Sequence, residues 1–575
     1  MLVAEFVQSA LEFSDTNEYS LSYSPSVSAG VHDRLHGVLQ DGTPSGMAKT
    51  PWVDHTAPLD NLISEINDFL GPGPPCFSKP KLPHYVQDIP SWFAEEDISY
   101  LMSKDAFTTP DQTLCRELLR SFIECVYPFI PVLDLSRLLN AFCGNGKSEK
   151  ISLLLFHAIM FSAAAFVDVK HLYNAGYQTR RKAREDLFSK TRVLYDFDYE
   201  NDRVTTIQSL LLMTYWHETP QNPKDSQHWL DVCWSLGSSI GLHCDPSTAQ
   251  ISCDHRRIWK RLWWCLYTRN RLIALNLRRP ISFKKNSGRN MPFLDLEDFD
   301  IHRYSDKAIK IFDGCEFLRD LRLQERSAVS FIEKAKLSVL ISEVAILRDF
   351  RKDGCPSPGT PGNDEDEFSG AWMEQYGKTL ETLHLWHARA PVDMERTNQQ
   401  NNILYVQHAW IRLVFLTTLG TLYREIECIT MPYHGKPAYP DRQVLQEMSS
   451  IMQDLHNLGV VYLLPTTAVA LLVPVLVMHF SDLRSSSDGL QLPGFQNFYR
   501  CMRVLSSLGD TYSFAVIVRQ FFEDALGNIG GASPPVVPTM IQDLLTSKEH
   551  ESLIKAQAAR SSGDPATSKG LPSIL

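Results

Sequence analysis

The stretch CRELLRSFIECV, residues 115–126, has the clearest secondary-structure pattern of the sequence. Its apolar residues recur three and four positions apart, a spacing that places them on one face of an α-helix. These residues are Leu118, Leu119, Phe122, Ile123 and Val126. The helix is predicted to end at Tyr127-Pro128, because the residue before a proline disfavours helical geometry.

Similar helical segments occur along most of the chain, with very little strand signal between them. They are predicted at Leu133–Phe142, Ser152–Phe166, Ala183–Asp196, Val204–Trp216, His228–Leu242, His255–Asn276, Trp372–Ala388, Asn401–Tyr423, Arg442–Leu458, Thr467–Phe480 and Gly494–Ala525. Gly241 is placed to end one helix in the left-handed conformation. The sequence therefore predicts an all-α fold with many helices.

The two ends and one internal segment lack this periodicity. Residues 1–90 are rich in Ser, Gly, Pro and Asp, and we expect them to be disordered apart from one short helix at Leu59–Leu70. Residues 531–575 are predicted to be a mostly disordered tail, and Asp353–Gly370 a solvated loop. The large helical domain is thus expected to span residues 91–530.

The composition of the chain argues against several classes of function. A net charge of −11 argues against a protein that coats nucleic acid non-specifically, because phosphate contacts need clustered Lys and Arg. Two apolar stretches, Ile151–Val167 and Val460–Phe480, are interpreted as buried core helices, and no membrane association is expected. The 12 cysteines contain no C-x-x-C pair, and no secretory signal is evident, so a reducing intracellular compartment is expected.

Four consecutive segments resemble the middle homology region of fungal zinc-cluster transcription factors, most of all the cutinase transcription factor beta type. The resemblance covers residues 95–300 closely and extends more loosely to about residue 530. The segments are FIECVYPFIPVLDLSRLL (residues 122–139), TTIQSLLLMTYW with Gln208 (205–216), WLDVCWSLGSSIGLHCD (229–245) and RRIWKRLWWCLYTRNR (256–271). Asn270 and Arg278 depart from the Asp and Gly that the family usually has.

The resemblance implies a nuclear regulator whose helical domain restrains or transmits activation. It implies partners of three kinds: a small-molecule effector, a protein partner or second copy of the chain, and DNA. A zinc cluster needs six thiolates in two C-x2-C-x6-C half-sites, and only Cys76 precedes Cys115 here. No metal or cofactor residue is therefore predicted, and zinc is expected only if a missing N-terminal cluster exists.

The strongest local charge anomaly is a basic stretch, His255–Leu294, which has 11 Lys or Arg and no Asp or Glu. It is a candidate surface for an anion, a partner or nuclear import, although its cations could instead pair with the acidic run at 295–300. The candidate residues are Arg256, Arg257, Lys260, Arg261, Arg269, Arg271, Arg278, Arg279, Lys284 and Lys285. Arg289 is the eleventh cation of the stretch. Arg180–Arg184 is a second, weaker import candidate.

Two motif matches suggest enzymes but fit poorly. Ala141–Ser148 satisfies a relaxed phosphate-loop pattern ending in Lys147, yet a helix rather than a strand is predicted before it. Gly237–Gly241 matches G-x-S-x-G around Ser239, but it lies within a predicted helix. The histidines show no metal-ligand spacing, and no catalytic residue is predicted.

The sequence thus predicts a transcription regulator of a metabolic or secondary-metabolite gene set. The alternative is a partner or repressor that does not bind DNA and holds an intact zinc-cluster factor. A phosphate-loop or serine-hydrolase enzyme is a remote third possibility.

Overall fold

The computed structural model describes residues 79–144, 149–216, 224–277, 281, 291–354, 364–390, 402–430, 442–484 and 488–529. Within these ranges there are 17 α-helices and no β-strand. In chain order they are α1 (Glu95–Ser103), α2 (Gln112–Ser121), α3 (Leu135–Cys143), α4 (Leu153–Ala163), α5 (Val169–Asn174), α6 (Arg180–Asp196), α7 (Arg203–Met213), α8 (Ser226–Ser239), α9 (Cys253–Leu277), α10 (Asp306–Ile311), α11 (Leu321–Gly354), α12 (Asp364–Arg389), α13 (Asn402–Thr430), α14 (Arg442–Asn457), α15 (Ala468–Arg484), α16 (Asp488–Gly509) and α17 (Ser513–Ile529). The predicted all-α fold is confirmed.

The chain divides into two compact units, residues 1–516 and 517–575. The second unit is described only for residues 517–529, the later part of α17. The predicted helix at Leu59–Leu70 and the predicted tail at 531–575 lie outside the described residues. So does the predicted N-terminal disorder as far as residue 78, whereas Tyr85 and Val86 are buried.

Local sequence signals account for several helix ends. The Asp111 carboxylate accepts hydrogen bonds from the first free N–H groups of α2, as an N-cap residue does. After α2 the chain continues as one π-helical turn, Phe122–Val126, and stops before Pro128 as predicted. Gly241 follows α8 with φ 73°, which confirms that it ends this helix in the left-handed region.

The longest helix of the described residues, α11, has 34 residues and was not predicted from the sequence. This helix packs against α9, α12 and α13, so more than one of its faces is covered. Several of its buried residues are polar: Gln324, Ser327, Ser330, Glu333, Lys334, Ser338 and Ser342. Because polar and apolar residues share its buried faces, α11 has no single apolar stripe that a periodicity search could find.

Two predicted boundaries were wrong. The segment Asp353–Gly370 is not a continuous loop, since α11 extends to Gly354 and α12 begins at Asp364. Acidic residues favour the first turn of a helix, because the helix dipole is positive there. The predicted helix Gly494–Ala525 is divided between α16 and α17 by residues 510–512.

The core of the first unit is formed by helices that are covered on several sides. Every residue of α4 is buried, and α4 packs against α6 and α7. Later in the chain, α15 packs along α16, and α11 packs along α13. These contacts bury α4 and α15, the two apolar stretches that were interpreted as core helices.

One described helix segment, Asn402–Ile426 of α13, is long and apolar enough to cross a membrane. In the structure 83% of its apolar window is buried inside the protein. This degree of burial is typical of a core helix in a large helical domain. The helices α4 and α15 are shorter than a bilayer span requires.

Candidate functional site

The segment Tyr127–Leu133, called here the proline turn, is buried along its whole length. Four side chains from four different helices donate hydrogen bonds to its backbone carbonyls. The pairs, donor first, are Gln407–Pro128 (2.8 Å), Lys334–Phe129, Gln208–Val132 (2.8 Å) and Arg261–Leu133 (3.1 Å). The donors belong to α13, α11, α7 and α9, respectively.

The need for these donors follows from the sequence of the turn. Pro128 and Pro131 have no N–H group, and the helix ends before them. Backbone N–H groups bond to the carbonyls of Tyr127 and Ile130, but the four carbonyls that accept from side chains have no backbone partner among the described residues. A buried carbonyl without a hydrogen bond costs roughly 1–3 kcal/mol. The four donors remove this cost, and they connect four helices through one short segment.

The first half of the basic stretch pairs with the acidic run that follows it. Arg261 is buried, and its guanidinium lies 3.3 Å from the carboxylate of Asp300. Lys260 Nζ lies 2.5 Å from Asp298, and the Asp295 carboxylate is 3.7 Å away. Arg257, whose side chain is 41% exposed, lies 3.9 Å from Asp300. These cations hold α9 against residues 295–300.

The second half of α9 sends two more cations into the interior. Arg269 is buried and donates to the hydroxyl and carbonyl oxygens of Thr214. Arg271 is buried and donates to Ser342 and to Asn270, at the position where the family usually has Asp. Arg261, Arg269 and Arg271 are therefore not available to a partner at the surface.

The other cations of the basic stretch are not buried in the described residues, so the basic surface stays a prediction. Arg256 is partly exposed and contacts Cys253 Sγ at 3.4 Å. Five cations of the stretch lie outside the described residues: Arg278, Arg279, Lys284, Lys285 and Arg289. A basic binding surface here thus depends on these five residues together with the partly exposed Arg256 and Arg257.

The second basic run, Arg180–Arg184, stabilises the ends of other helices. Arg180 donates to two carbonyls just after α4, and Arg181 donates to the carbonyl of Gly509 at the end of α16. Arg184 is buried and donates to the carbonyls of Tyr215 and Thr511. Cations favour the C-terminal ends of helices, where the dipole is negative and carbonyls lack partners.

Two small cavities lie beside the proline turn. One is lined mainly by aromatic and proline side chains, among them Tyr127, Pro131 and Phe331. The other is lined by Phe129 and Ile130 of the turn, by α9 and α13, and by Lys334 of α11. Burial, followed by the charge of Arg269, lowers the pKa of Lys334 from 10.5 to about 7.

The sequence patterns singled out Gln208 as part of a resembling segment and Arg261 as a surface candidate, but neither was predicted to bind the turn, and Lys334 and Gln407 were not predicted at all. The missed residues lie on α11 and α13, which occupy positions of the chain beyond the four resembling segments. The only local signal was a polar residue inside a buried helix. A buried polar group requires a hydrogen-bond partner, and that partner lies far away in sequence.

The two enzyme-like motifs do not form catalytic geometry in the described residues. Ser239 is the last residue of α8, and its hydroxyl donates to the carbonyl of Leu236. A nucleophile elbow would need a strand before it. Ala141–Cys143 belongs to α3, and Lys147 lies outside the described residues. The described part of the chain also has no group of three His, Cys, Asp or Glu residues placed to hold a metal ion.

Comparison with known proteins places this helical unit among transcription regulators. Residues 119–353 match the fungal specific transcription factor domain. The chain is 33% identical to cutinase transcription factor 1 beta of Fusarium vanettenii over 78% of this chain and 53% of that protein. It is 30% identical to transcription factor cpaR of Aspergillus oryzae over 76% of this chain and 75% of that protein.

A third relative, cutinase transcription factor 1 alpha of Fusarium vanettenii, is 25% identical over 75% of this chain and 45% of that protein. The chain thus spans about half the length of the two cutinase factors. No solved structure matches it significantly.

Proposed function

This chain belongs to the family of fungal transcription factors with the fungal-specific transcription factor domain, and from that premise we propose that it regulates a metabolic or secondary-metabolite gene set in the nucleus. The family is one of transcription factors and not of enzymes. The proposed target class is supported by the relatives, two of which are named as cutinase transcription factors.

The observation that carries the proposal is the position of the proline turn in the family domain. The matched region, residues 119–353, contains the turn and three of its four side-chain donors. In this chain the matched domain therefore contains a buried point at which α7, α9 and α11 meet. A ligand or partner that displaces one of these helices would alter the hydrogen bonds that hold the others.

We propose that the helical unit uses this connection to restrain or transmit activation. Its proposed inputs are a small-molecule effector and a protein partner or second copy of the chain. Its proposed output is DNA-directed, through a zinc cluster or through an intact factor that it holds. The basic stretch, including the residues outside the described ranges, is the proposed contact surface for such a partner.

The test is a gene deletion that is complemented with tagged full-length protein. Loss of the gene is expected to change transcription of a limited metabolic gene set, and the wild-type chain should restore it from the nucleus. A Gln208→Leu variant produced at the same level should restore it less well, because one donor to the proline turn is removed. Gln227→Leu, on the surface of α8, is the matched control and should restore transcription fully.

Two outcomes would contradict the proposal. One is an unchanged transcriptome in the deletion strain under all growth conditions tested. The other is a tagged protein that stays outside the nucleus throughout. Chromatin capture of the tagged chain then separates the two modes of action: binding that survives removal of every zinc-cluster partner is direct, and binding that disappears depends on such a partner.

A further inference from the structure

The cavity between the proline turn, α9, α11 and α13, called here the cationic cavity, has two buried cations in its wall. Lys334 and Arg269 both line it, and each side chain belongs to a residue that is 6% exposed. The rest of the wall comes from the turn, from Pro465 and from aromatic residues such as Tyr215 and Trp410. The cavity therefore combines two basic side chains with apolar walls.

Lys334 has limited compensation for its charge. Its ammonium group donates to the carbonyl of Phe129 and lies 4.1 Å from the centre of the Phe331 ring and 5.9 Å from that of Trp410. An ammonium group has three N–H donors, so two remain after the bond to Phe129. The neighbouring Glu333 carboxylate is engaged elsewhere, because it pairs with Lys336 at 2.7 Å.

Arg269 is held in place by neutral groups only. Its Nε and Nη2 atoms donate to Thr214, and its guanidinium lies 4.7 Å from the centre of the Tyr215 ring. These contacts fix the orientation of the guanidinium. They supply no negative charge, because burial raises the pKa of Tyr215 to about 12 and keeps its hydroxyl neutral.

The thiol and the indole in the wall of the cavity supply no negative charge either. Burial raises the pKa of the Cys265 thiol to about 12, so it is also neutral. The indole N–H of Trp410 has no hydrogen-bond partner among the described residues, and it is a donor. Within the described ranges, no Asp or Glu pairs with Lys334 or Arg269, whereas Lys260 and Arg261 on the same helix face carboxylates.

We propose that the cationic cavity binds a small monovalent anion, either a halide or the carboxylate group of a small organic acid. A buried charge is costly unless an opposite charge compensates it, and a bound anion would compensate both cations at once. The cavity volume of about 20 Å³ accommodates one or two water-sized groups, which restricts the ligand to this size. The role of this cavity as an effector site rests on the proposed function, whereas the binding of an anion does not.

Thermal unfolding of the purified full-length chain tests the proposal. The probes are sodium bromide and sodium formate, with sodium gluconate as the bulky reference anion at the same ionic strength. Bromide or formate is expected to raise the Tm of the wild-type chain relative to gluconate, with saturation. In Lys334→Met the apparent affinity should fall at least tenfold. Lys260→Met removes a cation that is paired with Asp298, and it should keep the wild-type response.

The outcomes separate the ligand sources. A response to bromide alone identifies a halide site, a response to formate alone a carboxylate site, and a response to both a site for either anion. No difference from gluconate, or an equal response in Lys334→Met, overturns the proposal. If Lys334→Met does not fold, Arg269→Gln serves as the second variant, with the same tenfold loss expected.

The transcription assay is independent of these measurements. A wild-type chain that binds anions but changes no transcription contradicts the proposed function and leaves the site intact. A Lys334→Met variant that loses anion binding but restores transcription fully would show that the anion is not an effector.

Discussion

Lys334 takes part in two structures of the protein interior. It donates to the proline turn and also lines the cationic cavity, so one ammonium group serves both structures. Its lowered pKa follows mainly from burial, and the charge of Arg269 lowers it further. The folded protein therefore releases a proton from this group near neutral pH.

This release predicts a pH dependence of stability. Since the pKa of Lys334 is about 7 in the folded chain and 10.5 ordinarily, the unfolded chain binds more protons between these values. The free energy of unfolding should therefore rise with pH in that window, by up to about 1.4 kcal/mol per pH unit from this group. Lys334→Met lacks this contribution. The free energies of unfolding of both chains in urea at pH 6, 7.5 and 9 measure the difference.

The comparison of wild type with variant isolates Lys334, because other titrating groups are common to both chains. A saturating small anion should stabilise the charged ammonium and raise its pKa. The stability difference between wild type and Lys334→Met should then vary less with pH. A stability difference between the two chains that stays constant from pH 6 to 9 would show that Lys334 remains charged throughout.

At the scale of elements, helix ends depend on single residues. Gly241 ends α8 with φ 73°, a conformation that L-residues adopt only at a cost of roughly 1–2 kcal/mol. Gly377 lies inside α12, and a Cβ added there would meet no atom within 4 Å. The same substitution is thus expected to have opposite effects at the two glycines.

Gly241→Ala should lower the free energy of unfolding by about 1 kcal/mol, because the backbone becomes strained. Gly377→Ala should raise it by about 0.5–1 kcal/mol, because alanine loses less conformational freedom in a helix than glycine does. Chemical denaturation of both variants beside the wild type measures the two changes. Equal changes of the same sign would contradict the assigned backbone conformations.

A second element-scale prediction concerns the proline turn. Gln208→Leu removes the donor to the Val132 carbonyl, which is buried, so the free energy of unfolding should fall by roughly 1–3 kcal/mol. Gln227→Leu removes a hydrogen bond to Asp231 on the exposed side of α8 and should change stability by less than about 0.5 kcal/mol. Urea unfolding of both variants distinguishes the buried donor from the exposed one, and equal losses would contradict the assigned role of Gln208.

At the scale of the whole molecule, Arg184 joins distant parts of the chain. It donates to Thr511, 327 residues away, and to Tyr215. Its guanidinium also lies within 5.2–5.7 Å of the ring centres of Phe161, Trp216 and Tyr512. One side chain thus connects the C-terminal ends of helices from the early and late parts of the first unit.

Arg184→Met is therefore expected to lower the free energy of unfolding by several kcal/mol, since two buried carbonyls lose a charged donor. Lys182→Met, in the same basic run, should have little effect because Lys182 is exposed and pairs with Glu185 on the surface. Thermal unfolding compares the two variants. If Arg184→Met instead retains stability and only fails to enter the nucleus, the run acts as an import signal rather than as a structural link.

Local sequence patterns were sufficient to predict the helical class and the positions of most helices. The periodicity of residues 115–126 and the stop signals at Pro128 and Gly241 are local, since they depend on neighbours within one or two turns. The order and spacing of four resembling segments also identified the family. These features needed no knowledge of how the helices pack.

Which polar residues meet at the proline turn depends on how the helices pack in three dimensions. Lys334 and Gln407 reach it from 205 and 279 residues away, and nothing in their local sequence names their partners. Likewise, Arg261 and Arg269 belong to one basic stretch, yet one faces Asp300 and the other lines a cavity without a described carboxylate. Periodicity records burial along a helix, whereas the pairing of buried charges is set by which helices pack together.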